Sequence, residues 1–562
     1  MVETFLPLHP GPASSPASPT APVELGDGFY DEEHEGATPF RWMSLRGRLS
    51  FAPQPIPRAL ELEVCCEFGD LSQQLKVSSG DVREELSLID GWSTISVPIP
   101  AEADHVDLEL NKPYPHEYYP SDERTLGIRL RSPVLHTDER RHGLRERQRA
   151  NAVLNTHEML EGKTVLESTP PSLGIDLHGA CNVKPPCVYC EWDAAKDEEA
   201  DNVDAPFTVQ TLEEYGPFFD HATDVVNCSI GEPFMMKNLD ELFDVFGAQG
   251  KTLEMTTNGQ ILTERNIAKL LGRDIHLYIS LDAATARTYA QFRNDTFDKI
   301  LHNIRRLVAA KGGKGSLPKV FLVFMPMRAN VHELDGFVEL CAELGVDQMI
   351  LRPLNDTPGN GLDWQRGGYH FQYEHELLPF DELLRVSGRA AERARQRGVA
   401  LRDQLDFGGS LEKVFEAGFE AGREEVDVAP TLSEAATPPA EAKPSLGFER
   451  HPVCAEPWKD LYILRRGIRP CCYGGAAIGG MDDYRTAWNS PLLQAIRAKL
   501  AGGRFHEYCV MSPACPIVRK AEHVHELPAS QKARLTVWRM WQRLNEVTGA
   551  TPRKALNLIR RK

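Results

Sequence analysis

The chain has 562 residues, and 81 acidic against 63 basic side chains leave a formal net charge of −18. That balance excludes a protein whose whole surface binds nucleic acid or an anionic membrane, and at roughly 150 residues per domain the length implies three or four domains. There is no run of about 18 apolar residues, and Met1-Val-Glu-Thr-Phe-Leu-Pro7 lacks the basic-then-apolar order of a signal peptide, so the expectation is a cytoplasmic chain with no transmembrane segment and no nucleic-acid partner.

Residues 1–25, which include Pro10-Gly-Pro-Ala-Ser-Ser-Pro16, hold few large apolar side chains and are expected as a disordered lead-in. From 38 to 137 short alternating runs recur, among them Ala59-Leu-Glu-Leu-Glu-Val-Cys65, Gln74-Leu-Lys-Val77 and His105-Val-Asp-Leu-Glu-Leu110. Separated by Pro, Gly and Asp turns, they predict a β-sandwich. Cys65 and Cys66 are neighbours in one of these strands, point to opposite faces and are assigned to packing.

Between 165 and 424 the pattern becomes strand-then-helix. The strands are Leu173-Gly-Ile-Asp-Leu-His178, Asp224-Val-Val-Asn-Cys-Ser-Ile230, Thr252-Leu-Glu-Met-Thr-Thr257, Ile275-His-Leu-Tyr-Ile-Ser-Leu281, Val320-Phe-Leu-Val-Phe-Met325 and Gln348-Met-Ile-Leu-Arg352. Six such units predict a parallel sheet with crossover helices, an α/β partial (βα)6 TIM-like barrel within a multidomain chain. Chemistry in such barrels gathers at the C-terminal strand ends. Those ends hold the Cys181 loop, Gly231-Glu-Pro233, Thr257-Asn-Gly259, Ser280 with Asp282, Met325 and Arg352-Pro353. A Pro, Ala and Glu linker is expected over 425–447, a small α+β domain with five cysteines over 448–525, and a helical tail over 526–562.

The twelve cysteines are too sparse for a disulfide scaffold, and most fall in two groups, which in a reducing compartment favours metal ligation. Cys181, Cys187 and Cys190 lie in Gly179-Ala-Cys-Asn-Val-Lys-Pro-Pro-Cys-Val-Tyr-Cys-Glu191. Three thiolates hold three irons of a cubane cluster and leave the fourth open to a substrate or cofactor, although the same trio also suits the start of a zinc site. Cys341, at helical spacing, and Cys228, on a strand, are assigned to structure, His178 to a hydrogen-bonded structural role, and Glu191 and Asp193 to helix capping. The glycine runs Lys311-Gly-Gly-Lys-Gly315 and Gly474-Gly-Ala-Ala-Ile-Gly-Gly480 do not have phosphate-loop spacing.

Together the three cysteines, Gly231-Glu-Pro, Thr257-Asn-Gly, Ile279-Ser-Leu-Asp282 and Arg293 make the barrel resemble radical S-adenosylmethionine (SAM) enzymes. Cys454-Ala-Glu-Pro-Trp458 and Gly467-Ile-Arg-Pro-Cys-Cys472 make the C-terminal domain resemble their SPASM-type auxiliary iron-sulfur domain. The family's usual first motif is Cys-x3-Cys-x2-Cys, and here the first gap holds five residues. The resemblance implies a SAM-binding [4Fe-4S] cluster on Cys181, Cys187 and Cys190. It also implies SAM contacts from Gly231 and Glu232 to the methionine amine, Arg293 to its carboxylate, Ser280 and Asp282 to the ribose, and Arg352 with Tyr189 to the adenine. A second [4Fe-4S] cluster is expected on Cys454, Cys472, Cys509 and Cys515, with Cys471 as a spare, and zinc is the competing occupant there.

By resemblance the activity is reductive cleavage of SAM to a 5′-deoxyadenosyl radical that abstracts hydrogen from a substrate carbon, fed by a low-potential donor such as flavodoxin or ferredoxin. No acid, base or second radical residue is assigned. The sandwich resembles accessory modules of surface-polysaccharide enzymes, so the expected substrate is a sugar nucleotide or glycan precursor. The alternatives are maturation of a ribosomally made peptide, or a non-catalytic metal-stabilised carbohydrate-binding protein.

Overall fold

The computed structural model describes residues 23–35, 38–115, 119, 122–190, 207–229, 231–354, 363–366, 368–405, 452–465, 467–474, 476–510, 515, 517 and 518. The linker expected at 425–447, the tail at 526–562, Glu191 and Asp193 lie outside them. Among the described residues no helix is long and apolar enough to cross a membrane.

The N-terminal strands are β1 (Glu24–Leu25), β2 (Phe29–Glu35), β3 (Thr38–Met43), β4 (Arg46–Ser50), β5 (Arg58–Cys66), β6 (Gln74–Ser79), β7 (Val82–Ser87), β8 (Gly91–Ile99), β9 (His105–Leu110) and β10 (Ile128–His136). They form two five-stranded sheets, ordered β1-β4-β9-β6-β7 and β2-β3-β10-β5-β8. Alternation explains the packing. Leu60, Leu62, Val64 and Cys66 of β5 enter the shared core with Leu75, Val77, Leu108 and Val97. Cys65 points the other way and accepts a hydrogen bond from Arg129 Nη2 at 3.1 Å. The sandwich begins earlier than residue 38, because β1 and β2 already pair with β4 and β3, and the expected lead-in correspondingly ends before Glu24.

A helix over Glu139–Leu160, which sequence reading left unassigned, connects the sandwich to the rest. Asp138 caps it by accepting from the Arg140 and Arg141 backbone N–H groups. Its side chains touch three regions. Arg141 forms a bidentate pair with Glu61 of β5 at 2.6 and 2.7 Å, Arg145 donates to Gly250 O at 2.7 Å, and Asn155 donates to Trp458 O at 2.7 Å.

The central sheet takes its strands from both sides of the expected linker. Its strands are β11 (Ser172–Ile175), β12 (Asp224–Asn227), β13 (Thr252–Thr257), β14 (Ile275–Ser280), β15 (Lys319–Phe324) and β16 (Gln348–Leu351), followed by a separate hairpin, β17 (Asp363–Arg366) with β18 (Tyr369–Gln372). Then come β19 (Leu401–Asp403), β20 (Asp460–Leu464) and β21 (Gly467–Arg469), giving the order β19-β16-β15-β14-β13-β12-β11-β20-β21. All neighbours are parallel except the β20–β21 hairpin. The six expected strands thus sit inside a nine-stranded sheet. The C-terminal domain does not stand apart: β20 pairs with β11, and Trp458, Leu461 and Ile463 share one core with Leu173, Leu253 and Leu277. The sheet curls, since Arg402 of β19 reaches Tyr278 of β14, three strands away, at 3.0 Å.

Candidate functional site

Cys181, Cys187 and Cys190 follow β11 on a loop at the C-terminal edge of the sheet. The loop is held by backbone and amide groups from several segments. Glu232 N donates to Ala180 O at 2.8 Å, Val188 N to Phe292 O at 2.9 Å and Cys190 N to Cys187 O at 3.1 Å. Asn258 Nδ2 donates to Asn182 Oδ1 at 2.8 Å and lies 3.9 Å from Cys181 Sγ. Gly231 is required here, because a Cβ at that position would stand 2.5 Å from both the Ala180 and His178 carbonyl oxygens.

Glu232 is 1% exposed, and its carboxylate accepts from Thr257 Oγ1 at 2.8 Å, Asn258 N at 2.8 Å and Phe234 N at 3.3 Å. It braces the Gly231-Glu-Pro turn to the Thr257-Asn-Gly turn. Burial pushes its carboxyl up to about 7, against the opposing pull of those donors.

Tyr189, Asp282 and Arg293 meet in one buried network. Asp282 Oδ2 accepts from Tyr189 OH at 2.7 Å and from Arg293 Nη2 at 3.0 Å, while Arg293 Nε donates to the same phenol oxygen at 2.9 Å. Asp282 adopts φ 58°, a left-handed conformation that lets its Oδ1 accept from Met325 N at 3.0 Å. Burial opposes charge on Arg293, but Cys187, Tyr189, Tyr289 and Asp282 around it hold its pKa above the usual value. Ser280 ends β14, half-buried. Arg352, expected beside Tyr189, belongs to another group: its Nε donates to Gln404 at 3.0 Å and its guanidinium lies 5.6 Å over the Tyr278 ring, on the inner face of the curl.

The C-terminal cysteines differ in their surroundings. Apart from burial, the charges that act on Cys471 come from Cys515, Cys454, Glu456 and Cys509, whereas Cys472 is exposed and feels Glu456, Cys471, Asp460 and Cys228. Cys471, the expected spare, thus has the Cys454, Cys509 and Cys515 thiols among its surroundings and stands beside Cys472 as a candidate for the fourth position. Both lie in the turn that follows β21, Cys471 half-buried and Cys472 exposed. Burial pushes Cys509 up to about 12 and Cys515 up to about 11.

Among the described residues no three His, Cys, Asp or Glu side chains converge closely enough to hold a single metal ion.

Cys341 is fully buried in the core, as expected for its helical spacing. Sequence reading placed Asn258 at the site through Thr257-Asn-Gly259 but missed Asn182, Gln260 and Asn294, whose amides line the loop, and the β17–β18 hairpin beside it. The hairpin had a signal in Trp364-Gln-Arg-Gly-Gly-Tyr-His-Phe-Gln372, alternating strands around two glycines.

Residues 175–341 match the Radical SAM superfamily model. The chain is 28% identical over 220 residues to a probable GTP 3′,8-cyclase of Saccharolobus solfataricus, covering 38% of this chain and 64% of that one. It is 30% identical over 200 residues to mycofactocin maturase MftC of Mycobacterium tuberculosis, covering 34% of this chain and 47% of that one. The chain thus spans less than two-thirds of the length of these curated relatives. Among solved structures, Streptococcus suis SuiB bound to precursor peptide SuiA aligns at 14% identity and a TM-score of 0.43, over 66% of this chain and 74% of that one. Residues 175–341 are a radical SAM domain, of a family that implies a [4Fe-4S] cluster and SAM.

Proposed function

We propose that the protein is a radical SAM enzyme that modifies a peptide, with the first cluster on Cys181, Cys187 and Cys190 and an auxiliary [4Fe-4S] cluster on Cys454, Cys471, Cys509 and Cys515. The observation that carries this reading is the meeting of the cysteine loop, the Gly231-Glu232 turn and the Tyr189–Asp282–Arg293 network at one edge of the sheet. When bound, the cluster supplies an open iron and an electron for reductive cleavage of SAM to methionine and a 5′-deoxyadenosyl radical.

The side chains then have separate tasks. Gly231 lets the backbone beside Ala180 come close enough for the methionine amine to meet carbonyl oxygens. Arg293 offers its guanidinium to the methionine carboxylate while Asp282 and Tyr189 fix its plane, so the cation is oriented before SAM arrives. Ser280 and the Asp282 backbone serve the ribose. The apolar group of Val188, Phe292, Met327, Leu354 and Phe371 beneath Tyr189 excludes water from the site. A flavodoxin or ferredoxin supplies the electron.

The substrate class follows the similarity to a mycofactocin maturase over 200 residues. The glycan expectation drew on the sandwich alone, and none of the similar proteins named above supports it. Anaerobic reconstitution should give about eight irons per chain and 5′-deoxyadenosine on reduction with SAM. Changing Cys181, Cys187 and Cys190 together to Ala should leave about four irons and no SAM cleavage. Retained cleavage would overturn the assignment. Stimulation of 5′-deoxyadenosine formation by nucleotide sugars, and not by short peptides encoded beside the gene, would return the glycan reading.

A further inference from the structure

The first gap of the cysteine loop is five residues long, and it ends in Lys184-Pro185-Pro186. The two prolines have no N–H, so this stretch offers its neighbours carbonyl oxygens to hold it by. A chain of side-chain amides holds the first half. Asn182 Nδ2 donates to Gln260 Oε1 at 3.3 Å, Gln260 Nε2 to Asn294 Oδ1 at 3.3 Å, and Asn294 Nδ2 to Lys184 O at 3.4 Å.

The second half is held from outside the sheet. Arg366, the last residue of β17, donates through Nη2 to Pro186 O and through Nη1 to Arg293 O. One planar fork therefore joins the backbone next to the Cys187 thiol to the backbone of the residue whose guanidinium meets Tyr189 and Asp282. The hairpin that carries the fork is itself seated: Phe371 is fully buried with its ring 6.2 Å from Tyr189, and Tyr369 packs on Phe292 at 5.6 Å while donating to Glu376 at 2.8 Å. The Cys187 thiol acts on the charge of Arg366 as it does on that of Arg293.

We infer that Arg366 is a positioning residue of the radical site, holding the Cys187 half of the lengthened loop against Arg293 and adding a second guanidinium to the cluster's surroundings. Its charge rests on the radical SAM reading for its consequence; its grip on the loop does not. Positive charge beside an iron-sulfur cluster favours the reduced form and raises the potential. A lysine keeps the charge but has no fork to reach both carbonyls.

Two readouts on the full chain separate these effects. In the iron-free protein, amide hydrogen exchange of residues 187–190 should accelerate at least about tenfold in both Arg366→Ala and Arg366→Lys, with β13 and β14 unchanged. In the reconstituted protein, the cluster whose EPR signal responds to SAM should titrate at a lower potential in Arg366→Ala and near the wild-type potential in Arg366→Lys. Arg305→Ala, which removes a surface partner of Glu343, is the charge control and should move neither. Wild-type exchange in both Arg366 variants overturns the grip, and a wild-type potential in Arg366→Ala overturns the charge effect. If Arg366→Ala fails to fold, Phe371→Ala, which unseats the hairpin that carries the fork, takes its place in the exchange measurement and should loosen the loop, while Arg366→Gln takes its place in the potential measurement and should lower the potential. A wild-type chain that binds no iron defeats the radical SAM reading, and the exchange result still decides the grip.

Discussion

The two cysteine sites are built in opposite ways. Cys181, Cys187 and Cys190 lie within ten residues of one loop, and what the fold adds is restraint: Ala180, Asn182, Lys184, Pro186 and Val188 are each tied to a different partner. The auxiliary site proposed on Cys454, Cys471, Cys509 and Cys515 draws on scattered positions, and what the fold adds there is a hairpin that extends the central sheet and a core against which Cys454, Cys509 and Cys515 pack. A contiguous site is set by spacing and refined by its braces. A dispersed site exists only when the surrounding tertiary structure does.

The sharpest way to break this comparison is in the dispersed site. Cys471→Ala should remove about four irons per chain, while Cys472→Ala should keep them; iron analysis showing the reverse would return Cys472 to the quartet. Next comes Gly231→Ala in the contiguous site, where the new methyl meets two backbone carbonyls that have no side-chain freedom to yield. Chemical unfolding should show a loss of about 3 kcal/mol, with SAM binding lost.

Glu232→Gln tests the brace through pH. The folded carboxyl, at about 7 against an ordinary 4.5, binds more protons than the unfolded one between those values, so stability falls as pH rises from 4.5 to 7. The full effect, about 3 kcal/mol, is felt above pH 7, and the Gln variant should flatten the slope in urea unfolding between pH 5 and pH 8. A slope equal to wild type would place the titrating group elsewhere. The smallest effect is expected from Tyr189→Phe, which strips one buried hydroxyl from Asp282 and Arg293. It should cost about 2 kcal/mol and weaken SAM binding, with SAM cleavage retained at saturation; unchanged SAM affinity by calorimetry would detach the phenol from the site.

What could be read without coordinates follows the same division. The strands β11 to β16 each carry short apolar runs or alternations, and the motifs at their ends are local, so both were legible. β19 is three residues long, and β20 lies beyond the expected linker, so neither announced its place in the sheet. The helix over Glu139–Leu160 hid for another reason: it buries Gln148, Asn151, Asn155 and Glu158, which serve carbonyl and hydroxyl partners in three regions, and so shows no apolar stripe. Cys471 is half-buried and its neighbour Cys472 exposed, a distinction that spacing does not contain.

The placement of β20 against β11 also bears on how the chain is made. Arg465 N, just past β20, donates to Asp176 just past β11, across a separation of 289 residues. At about 5–20 residues per second of synthesis, the β11 edge waits roughly 15–60 s for its neighbour. An unpaired parallel strand edge is an invitation to pair with the wrong chain. The nascent protein therefore faces its greatest aggregation hazard after the radical SAM domain has been synthesised and before its last strands arrive, and slower elongation through the intervening segment would lengthen that exposure.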